Sequence, residues 1–145
     1  MGEDAGLLRV LLAEDSPDNA LLIQTFLREL PLSIEQVWDG HEAVSRFMDA
    51  AGPGRRPFDL VLMDVQMPYL DGYDATRAIR NVEARLALKR VPVLILTAFG
   101  EEDRNHGVEA GADAFLVKPL QKSRVLGVVR ELLGLDDGER HDGGA

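Results

Sequence analysis

Charged and hydroxyl side chains follow four short apolar segments of this chain. Glu14 and Asp15 end the first, Asp64 the second, Thr97 the third and Lys118 the fourth. Carboxylates brought close together raise one another's pKa unless a cation compensates them, and a site with few protein oxygen ligands suits Mg²⁺. An ammonium and a hydroxyl opposite such an ion could hold the oxygens of a phosphoryl group. Asp64 would then be free to attack phosphorus.

The apolar segments themselves are predicted to be strands. Each is too short for a helix and is apolar on both faces, as is typical of strands buried in a parallel sheet. A fifth, more mixed segment is interpreted as an edge strand. The five predicted strands are Arg9–Ala13, Ser33–Trp38, Leu60–Met63, Val93–Leu96 and Ala114–Val117.

Apolar residues at helical spacing separate the strands. The segments with this period are Leu22–Leu30, Ala43–Ala51, Ala75–Leu86 and Val125–Leu133, with a weaker, partly exposed helix expected over Glu101–Ala110. Ser16-Pro17 and the Asp39 to Glu42 capping-box spacing are predicted helix starts, while Pro31 and Gly134 are predicted stops. Five β-α repeats with right-handed crossovers predict an α/β fold, in which a parallel sheet has helices on both faces. Ligands of such folds bind at the carboxyl ends of the strands.

Composition narrows the classes of function. Sixteen Lys and Arg against 25 Asp and Glu give a net charge of -9, which opposes direct binding to nucleic acid or an anionic membrane. There is no cysteine, so thiol chemistry and zinc-thiolate sites are excluded. No apolar run approaches the roughly 18 residues of a membrane span. We expect a cytoplasmic protein with an N-terminal extension over residues 1–6, one domain over 7–134 and a disordered tail over 135–145.

Four sequence motifs together resemble the receiver domain of two-component response regulators, of the chemotaxis-receiver type. They are VLLAED (Val10–Asp15), DLVLMDVQMP (Asp59–Pro68) with Asp71-Gly72, LILTA (Leu94–Ala98) and AGADAFLVKP (Ala110–Pro119). The resemblance spans about residues 7–134. The stretch LMDVQMPYLDGYDATRAIR is especially similar to receivers attached to hybrid histidine kinases.

The resemblance implies a flavodoxin-like sheet of strand order 2-1-3-4-5 and a Mg²⁺-dependent phosphoacceptor. Asp64 would take a phosphoryl group from a phosphohistidine of a histidine kinase or a histidine phosphotransfer protein. Asp15, Asp64 and the backbone carbonyl of Gln66 would bind Mg²⁺, with Glu14 reaching it through water. Thr97 would bond the transferred phosphoryl group beside Lys118.

The resemblance also implies a conformational switch. Phe115 occupies the family's aromatic switch position, and its rotamer would report the movement of Thr97. The surface that changes would be formed by the fourth helix, fifth strand and fifth helix. That surface would contact an unidentified downstream protein, and a homodimer through it is a further expectation.

Two other classes of function compete with a signalling module that catalyses only its own phosphorylation. An aspartyl-phosphate hydrolase shares the fold type, but it generally carries a second acid two residues after the nucleophile, where this chain has Gln66. A non-phosphorylated interaction module would not need the acids, Thr97 and Lys118 intact. We therefore expect a single-domain response regulator.

Overall fold

The structure is a computed structural model that describes residues 6–135, with the backbone alone described at 101–103. Strands and helices alternate throughout, as predicted. The strands are β1 (Leu8–Ala13), β2 (Leu32–Val37), β3 (Leu60–Asp64), β4 (Val93–Thr97) and β5 (Ala114–Val117). The helices are α1 (Pro17–Phe26), α2 (Gly40–Ala50), α3 (Gly72–Leu86), α4 (Glu101–Ala110) and α5 (Lys122–Leu133).

All five strands form one parallel sheet of order β2-β1-β3-β4-β5. The expected strand order and fold class are therefore confirmed. The order reverses direction at β1, so β1 and β3 lie side by side at the centre. In such sheets the crevice beyond the carboxyl ends of the central strands is the usual place for a ligand.

Alternate residues of each central strand pack into two separate cores. In β1, Leu11 and Ala13 belong to the core that includes α2 and α3, whereas Val10 and Leu12 belong to the core that includes α1 and α5. β3 and β4 alternate in the same way. Because both faces of these strands are buried, they are apolar at nearly every position, which is why the short apolar runs predicted them correctly.

The predicted helix boundaries are confirmed at three of the four signals. Ser16 caps α1 with Pro17 at the first helical position, and its side chain accepts the N–H of Asn19. Asp39 caps α2 by accepting the N–H of Glu42 at 2.8 Å, while the Glu42 carboxylate accepts the N–H of Trp38. Gly134 ends α5 in the left-handed conformation.

The prediction that the first helix runs on to Pro31 is wrong. α1 ends at Phe26, and residues 27–30 form tight turns in which the N–H of Arg28 bonds to Thr25 and that of Leu30 bonds to Leu27. A proline disfavours helical backbone in the residue before it, so the chain leaves the helix before Pro31.

Several expectations of burial are also wrong. Met48 and Leu86, placed in the apolar stripes of the second and third helices, are 41% and 53% exposed. Leu22, placed in the buried stripe of the first helix, is 41% exposed, because α1 turns Ala20 and Ile23 inward instead. In β5 only Leu116 is buried, and Val117 is 49% exposed. Since β5 is an edge strand, no neighbouring strand lies beyond it to cover its far side.

The terminal expectations lie mostly outside the described residues. Residues 1–5 of the expected N-terminal extension and residues 136–145 of the expected tail are not described. Within residues 6–135, none of the helices is both long and apolar enough to cross a lipid bilayer.

An ion-pair network around the buried Glu83 carboxylate joins α3 to the beginnings of β4 and β5. Arg80 donates to both carboxylate oxygens of Glu83, at 2.9 and 3.1 Å, and to Asp113 at 2.8 Å. Glu83 is 6% exposed and also accepts the N–H of Val91 at 2.7 Å. Asp113 accepts the N–H of Val93 at 2.8 Å. The network therefore fixes the edge of the sheet opposite the carboxyl ends of the strands.

We predict that Glu83→Ala destabilises the domain by about 3 kcal/mol, since it leaves a buried N–H and part of a buried guanidinium without a partner. Asp49→Ala is the matched control, because Asp49 pairs with Arg46 at the same i,i+3 spacing but is exposed. Its cost should be below about 0.5 kcal/mol. Urea unfolding measures both, and equal costs would contradict a structural role for the network.

Candidate functional site

Four strand ends place the predicted site residues in one crevice. Glu14 and Asp15 follow β1, Asp64 is the last residue of β3, Thr97 is the last of β4 and Lys118 follows β5. The strands are parallel, so their carboxyl ends meet at one edge of the sheet. The convergence inferred from the sequence is thus found for all five residues.

Lys118 is the cation that joins the site. Its Nζ lies 2.7 Å from Asp64 Oδ1 and 3.8 Å from Glu14 Oε1. The Lys118 N–H donates to the Thr97 carbonyl at 2.7 Å, so the pairing of β4 with β5 continues to the lysine. The following Lys118–Pro119 peptide bond is cis. One ammonium thus faces two buried carboxylates.

The acidic cluster has the composition of a site for a hard divalent cation. Glu14, Asp15 and Asp64 each offer a carboxylate oxygen, and these atoms lie within 4.8 Å of one another. Glu14 is 1% exposed, and its Oε1 is buried with no hydrogen bond to any described residue. Its Oε2 accepts the N–H of Ser16 at 3.2 Å. A buried oxygen without a donor fits a bound Mg²⁺ that keeps several waters.

Burial raises the pKa of both inner carboxyl groups. For Glu14 the main cause is desolvation, followed by repulsion from Asp64, and Lys118 only partly offsets them. The pKa of Asp64 is also raised, mainly by desolvation, although the hydrogen bond from Lys118 lowers it. The charged site is therefore under-compensated without a metal, because one lysine does not balance the cluster.

Thr97 is buried beside this cluster at the end of β4. It is 1% exposed, and its Oγ1 accepts the N–H of Phe99 at 3.1 Å. That bond orients the hydroxyl oxygen toward its own loop. The Phe99 side chain is 52% exposed.

Gly72 allows the loop after β3 to close against Asp64. Its N–H donates to the Val65 carbonyl at 2.9 Å, and a Cβ at this position would meet the Asp64 carbonyl oxygen and lie 3.0 Å from the Val65 Cα. Asp71 caps α3 by accepting the N–H of Asp74. The types of the side chains did not predict this role of the Gly72 backbone. The signal for it in the sequence was the Asp71-Gly72 pair that follows Pro68.

Phe115 lies apart from the carboxylates and packs toward α4. It contributes to the core on the α2 and α3 side, and the Arg104 guanidinium carbon lies 5.5 Å from its ring centroid. A Cβ on Gly107 would come within 2.6 Å of the Phe115 Cζ. The ring therefore occupies a space on α4 that exists only because residue 107 is glycine.

Gln66 lies two residues beyond Asp64, with an exposed side chain. The ligand role expected for its backbone carbonyl stays a prediction, as does the water-mediated role of Glu14.

Comparison with known proteins yields one family. The profile of the response regulator receiver domain matches residues 10–130. The sensor protein GacS of Pseudomonas syringae pv. syringae is 38% identical over 128 residues, which cover 88% of this chain and 14% of that protein. The chain therefore spans only about one-seventh of the length of this curated relative.

Two solved structures are also similar. The receiver domain of the sensor histidine kinase PA1611 from Pseudomonas aeruginosa PAO1, determined with a magnesium ion coordinated in its active-site cleft, is 34% identical with a TM-score of 0.73. The match covers 89% of this chain and 99% of that one. A chain from the co-crystal of the Saccharomyces cerevisiae phosphotransfer protein Ypd1 with the receiver domain of Ssk1 is 26% identical, with a TM-score of 0.78, over 87% and 88% of the two chains.

We predict that Asp64→Asn stabilises the metal-free domain at pH 7 by roughly 1 kcal/mol or less, because it removes a charge whose burial is under-compensated. The folded-state pKa values of Asp64 and Glu14 are raised. The stability they contribute is therefore complete below their ordinary pKa values and is lost as pH rises through the folded values.

Urea unfolding in chelator from pH 4 to pH 8 checks this prediction. The parent should lose stability as pH rises through this window, and Asp64→Asn should lose less. Asp49→Asn, which removes an exposed carboxylate, should keep the parent's slope. If the stability of the parent instead rose across this pH range, in the same way as that of Asp64→Asn, the result would contradict a destabilising charge on Asp64.

Proposed function

Because this chain belongs to the response regulator receiver domain family, the phosphoacceptor modules of two-component signalling, we propose that Asp64 accepts a phosphoryl group from a phosphohistidine. The observation that carries the proposal is the geometry at the carboxyl edge of the sheet. Asp64 lies at the end of a central strand, 2.7 Å from Lys118 and within a cluster of three carboxylates.

The transfer is a displacement at phosphorus. A carboxylate oxygen of Asp64 forms the new P–O bond while the P–N bond to the donor imidazole breaks, and the imidazole nitrogen keeps the electron pair. The three peripheral oxygens of the phosphoryl group carry negative charge during this step and need fixed donors. Burial of Asp64 excludes bulk water from the carboxylate that must attack.

The oxygen donors of the crevice are suited to Mg²⁺. Asp15, Asp64 and the backbone carbonyl of Gln66 would hold it directly, and Glu14 through water. When bound, the ion neutralises the acidic cluster and the charge of the incoming phosphoryl group. The buried Glu14 Oε1 accepts no hydrogen bond from a described residue and lies 3.8 Å from Lys118 Nζ. It supports this proposal, since a buried carboxylate oxygen without a hydrogen-bond donor costs stability.

Lys118 and Thr97 would bind the peripheral oxygens. The Lys118 ammonium contacts Asp64 in the free domain, so it is already placed beside the oxygen that will carry phosphorus. The Thr97 hydroxyl accepts the N–H of Phe99 in this state, and a hydroxyl can donate its proton to a phosphoryl oxygen. Thr97 would move toward the phosphoryl group to make that bond.

The donor is proposed to be a histidine kinase or a histidine phosphotransfer protein. The similarity to a receiver chain crystallised with the phosphotransfer protein Ypd1 supports this class of partner. The curated relative GacS is a much longer protein, so the expectation of a single-domain regulator stays a prediction. The hydrolase alternative is disfavoured because Gln66 cannot act as a general acid in the position where those enzymes carry a carboxyl group.

We predict that acetyl phosphate with Mg²⁺ adds one phosphoryl group to the parent and none to Asp64→Asn, because an amide is not a competent nucleophile. Excess chelator should abolish the addition to the parent. Asp18→Asn, which removes an exposed acid in the first turn of α1, should be phosphorylated normally. Intact-mass spectrometry measures all four reactions.

A phosphoryl adduct on Asp64→Asn would place the acceptor elsewhere. Undiminished phosphorylation of the parent in chelator would contradict the metal requirement. Circular dichroism of the variants establishes that the Asn substitution leaves the fold intact.

Phosphorylation is further proposed to change the surface of α4, β5 and α5. Phe115 is the proposed reporter, because its ring links β5 to α4 at Gly107 and contacts Arg104. Movement of Thr97 at the end of β4 would open or close the space available to that ring. The altered surface would bind a downstream protein or a second copy of the chain.

We predict that Gly107→Ala displaces the Phe115 ring outward, because the new methyl group would occupy the ring's position. Gly127→Ala in α5 is the matched control, since a Cβ there meets nothing within 4 Å. The control should gain about 0.5–1 kcal/mol from improved helix propensity. Gly107→Ala should lose most of that gain.

Urea unfolding measures the two stabilities, and nuclear Overhauser contacts between the Phe115 ring and α4 report its position. Unchanged ring contacts in Gly107→Ala would contradict the proposed coupling.

A further inference from the structure

A second concave site lies at the opposite edge of the sheet from Asp64. It is a cavity of about 440 Å³ formed where Leu8 begins β1, Phe58 and Asp59 precede β3, and Val91 and Pro92 precede β4. β3 alone is five residues long, so about 13 Å of strand separates the two sites. This cavity therefore shares no residue with the acidic cluster.

The floor of the cavity is apolar. Phe47, Phe58 and Val91 are nearly fully buried, and Leu88 and Leu132 complete its walls while remaining partly accessible. The volume falls within the range of pockets that enclose small organic ligands, and an apolar lining with a few polar groups is typical of them. The floor would accept an aromatic or aliphatic body.

The rim of the cavity is basic although the chain as a whole is acidic. Arg56, Lys89 and Arg90 line it, against one carboxylate, Asp59. The Asp59 carboxylate is engaged by the N–H of Arg9 at 2.8 Å. The lining residues thus carry a net charge of about +2 in a protein of net charge -9.

Among the three rim cations, Lys89 keeps its charge available for a ligand. Arg90 is 57% exposed at its side chain and pairs with Asp113, but that carboxylate also pairs with Arg80. Since Arg80 is also paired with Glu83, the charge of Arg90 is balanced within this group of four residues. Lys89 is exposed and forms no ion pair with another residue of the described range 6–135.

We propose that this cavity binds an organic carboxylate with an apolar body, seated on Phe47 and Phe58 with its carboxylate at Lys89. Burial of the apolar body supplies affinity, and the charged hydrogen bonds at the rim select an anion. The cavity borders the ends of α2, α3 and α5. A ligand there would stabilise the folded domain without occupying the phosphoacceptor crevice.

Naphthalene-2-carboxylate and its neutral amide are suitable probes. In ¹H–¹⁵N spectra of the full chain at low salt, the carboxylate should shift the amides of residues 88–91 and 58–59 in a saturable way. The amide probe should bind about tenfold more weakly, because it lacks the charge that the rim recognises. Amides around Asp64 should stay unshifted.

Two variants test the rim and the floor. Lys89→Gln should weaken the binding of the carboxylate probe about tenfold and leave the affinity for the amide probe unchanged. Arg77→Gln is the charge-matched control, since Arg77 is an exposed cation paired with Asp74 in the first turns of α3. It should bind both probes like the parent. Leu88→Trp should fill the cavity and block both, with thermal unfolding confirming that it folds.

Three results would overturn the proposal. The first is equal affinity for the two probes, and the second is shifts centred on Asp64 rather than on residues 88–91. The third is an equal loss of carboxylate affinity in Lys89→Gln and Arg77→Gln, because the effect would then come from the overall charge of the protein and not from the rim.

Discussion

The buried pairing of Asp64 with Lys118 is the interaction on which the site depends. A carboxylate 3% exposed and an ammonium 2.7 Å away connect the ends of β3 and β5, which lie on opposite sides of β4. Removing Lys118 would leave Asp64 as an uncompensated buried charge, so the carboxylate depends on the lysine more than the lysine depends on it. Glu14 adds a second buried negative charge that the same lysine reaches only at 3.8 Å.

This imbalance of charge lowers the stability of the folded domain, and it also makes the site reactive. Desolvation and mutual repulsion raise the pKa of Glu14 and Asp64, and one ammonium cannot cancel both effects. A divalent cation would supply the positive charge that the acidic cluster lacks and that an incoming, negatively charged phosphoryl group also needs. The two apolar cores hold the strands in place while the carboxylates are kept together.

The opposite edge of the sheet has a different set of charged residues. There Arg80 pairs with Glu83 and Asp113, and Arg90 also pairs with Asp113, so two guanidinium groups balance two carboxylates. The rim of the neighbouring cavity adds the cations Arg56 and Lys89. The same chain thus presents an acidic crevice at the carboxyl ends of its strands and a basic-rimmed cavity at their amino ends. Net charge alone describes neither surface, because the charged residues are segregated along the strand direction.

The sequence by itself determined the order of elements, the strand-end position of each site residue and two of the helix starts. Apolar runs such as Leu60–Met63 and caps such as Ser16 act over a few neighbouring residues, so local patterns are sufficient for them. The family motifs added the strand order. Only the tertiary structure decided the end of α1, the exposure of Leu22 and Val117, and the space that Gly107 leaves for Phe115. It also decided which acids are buried: Glu14 and Asp15 are adjacent, but only Glu14 is enclosed. These features depend on which surfaces of distant segments meet, and a linear pattern of residue types does not contain that information.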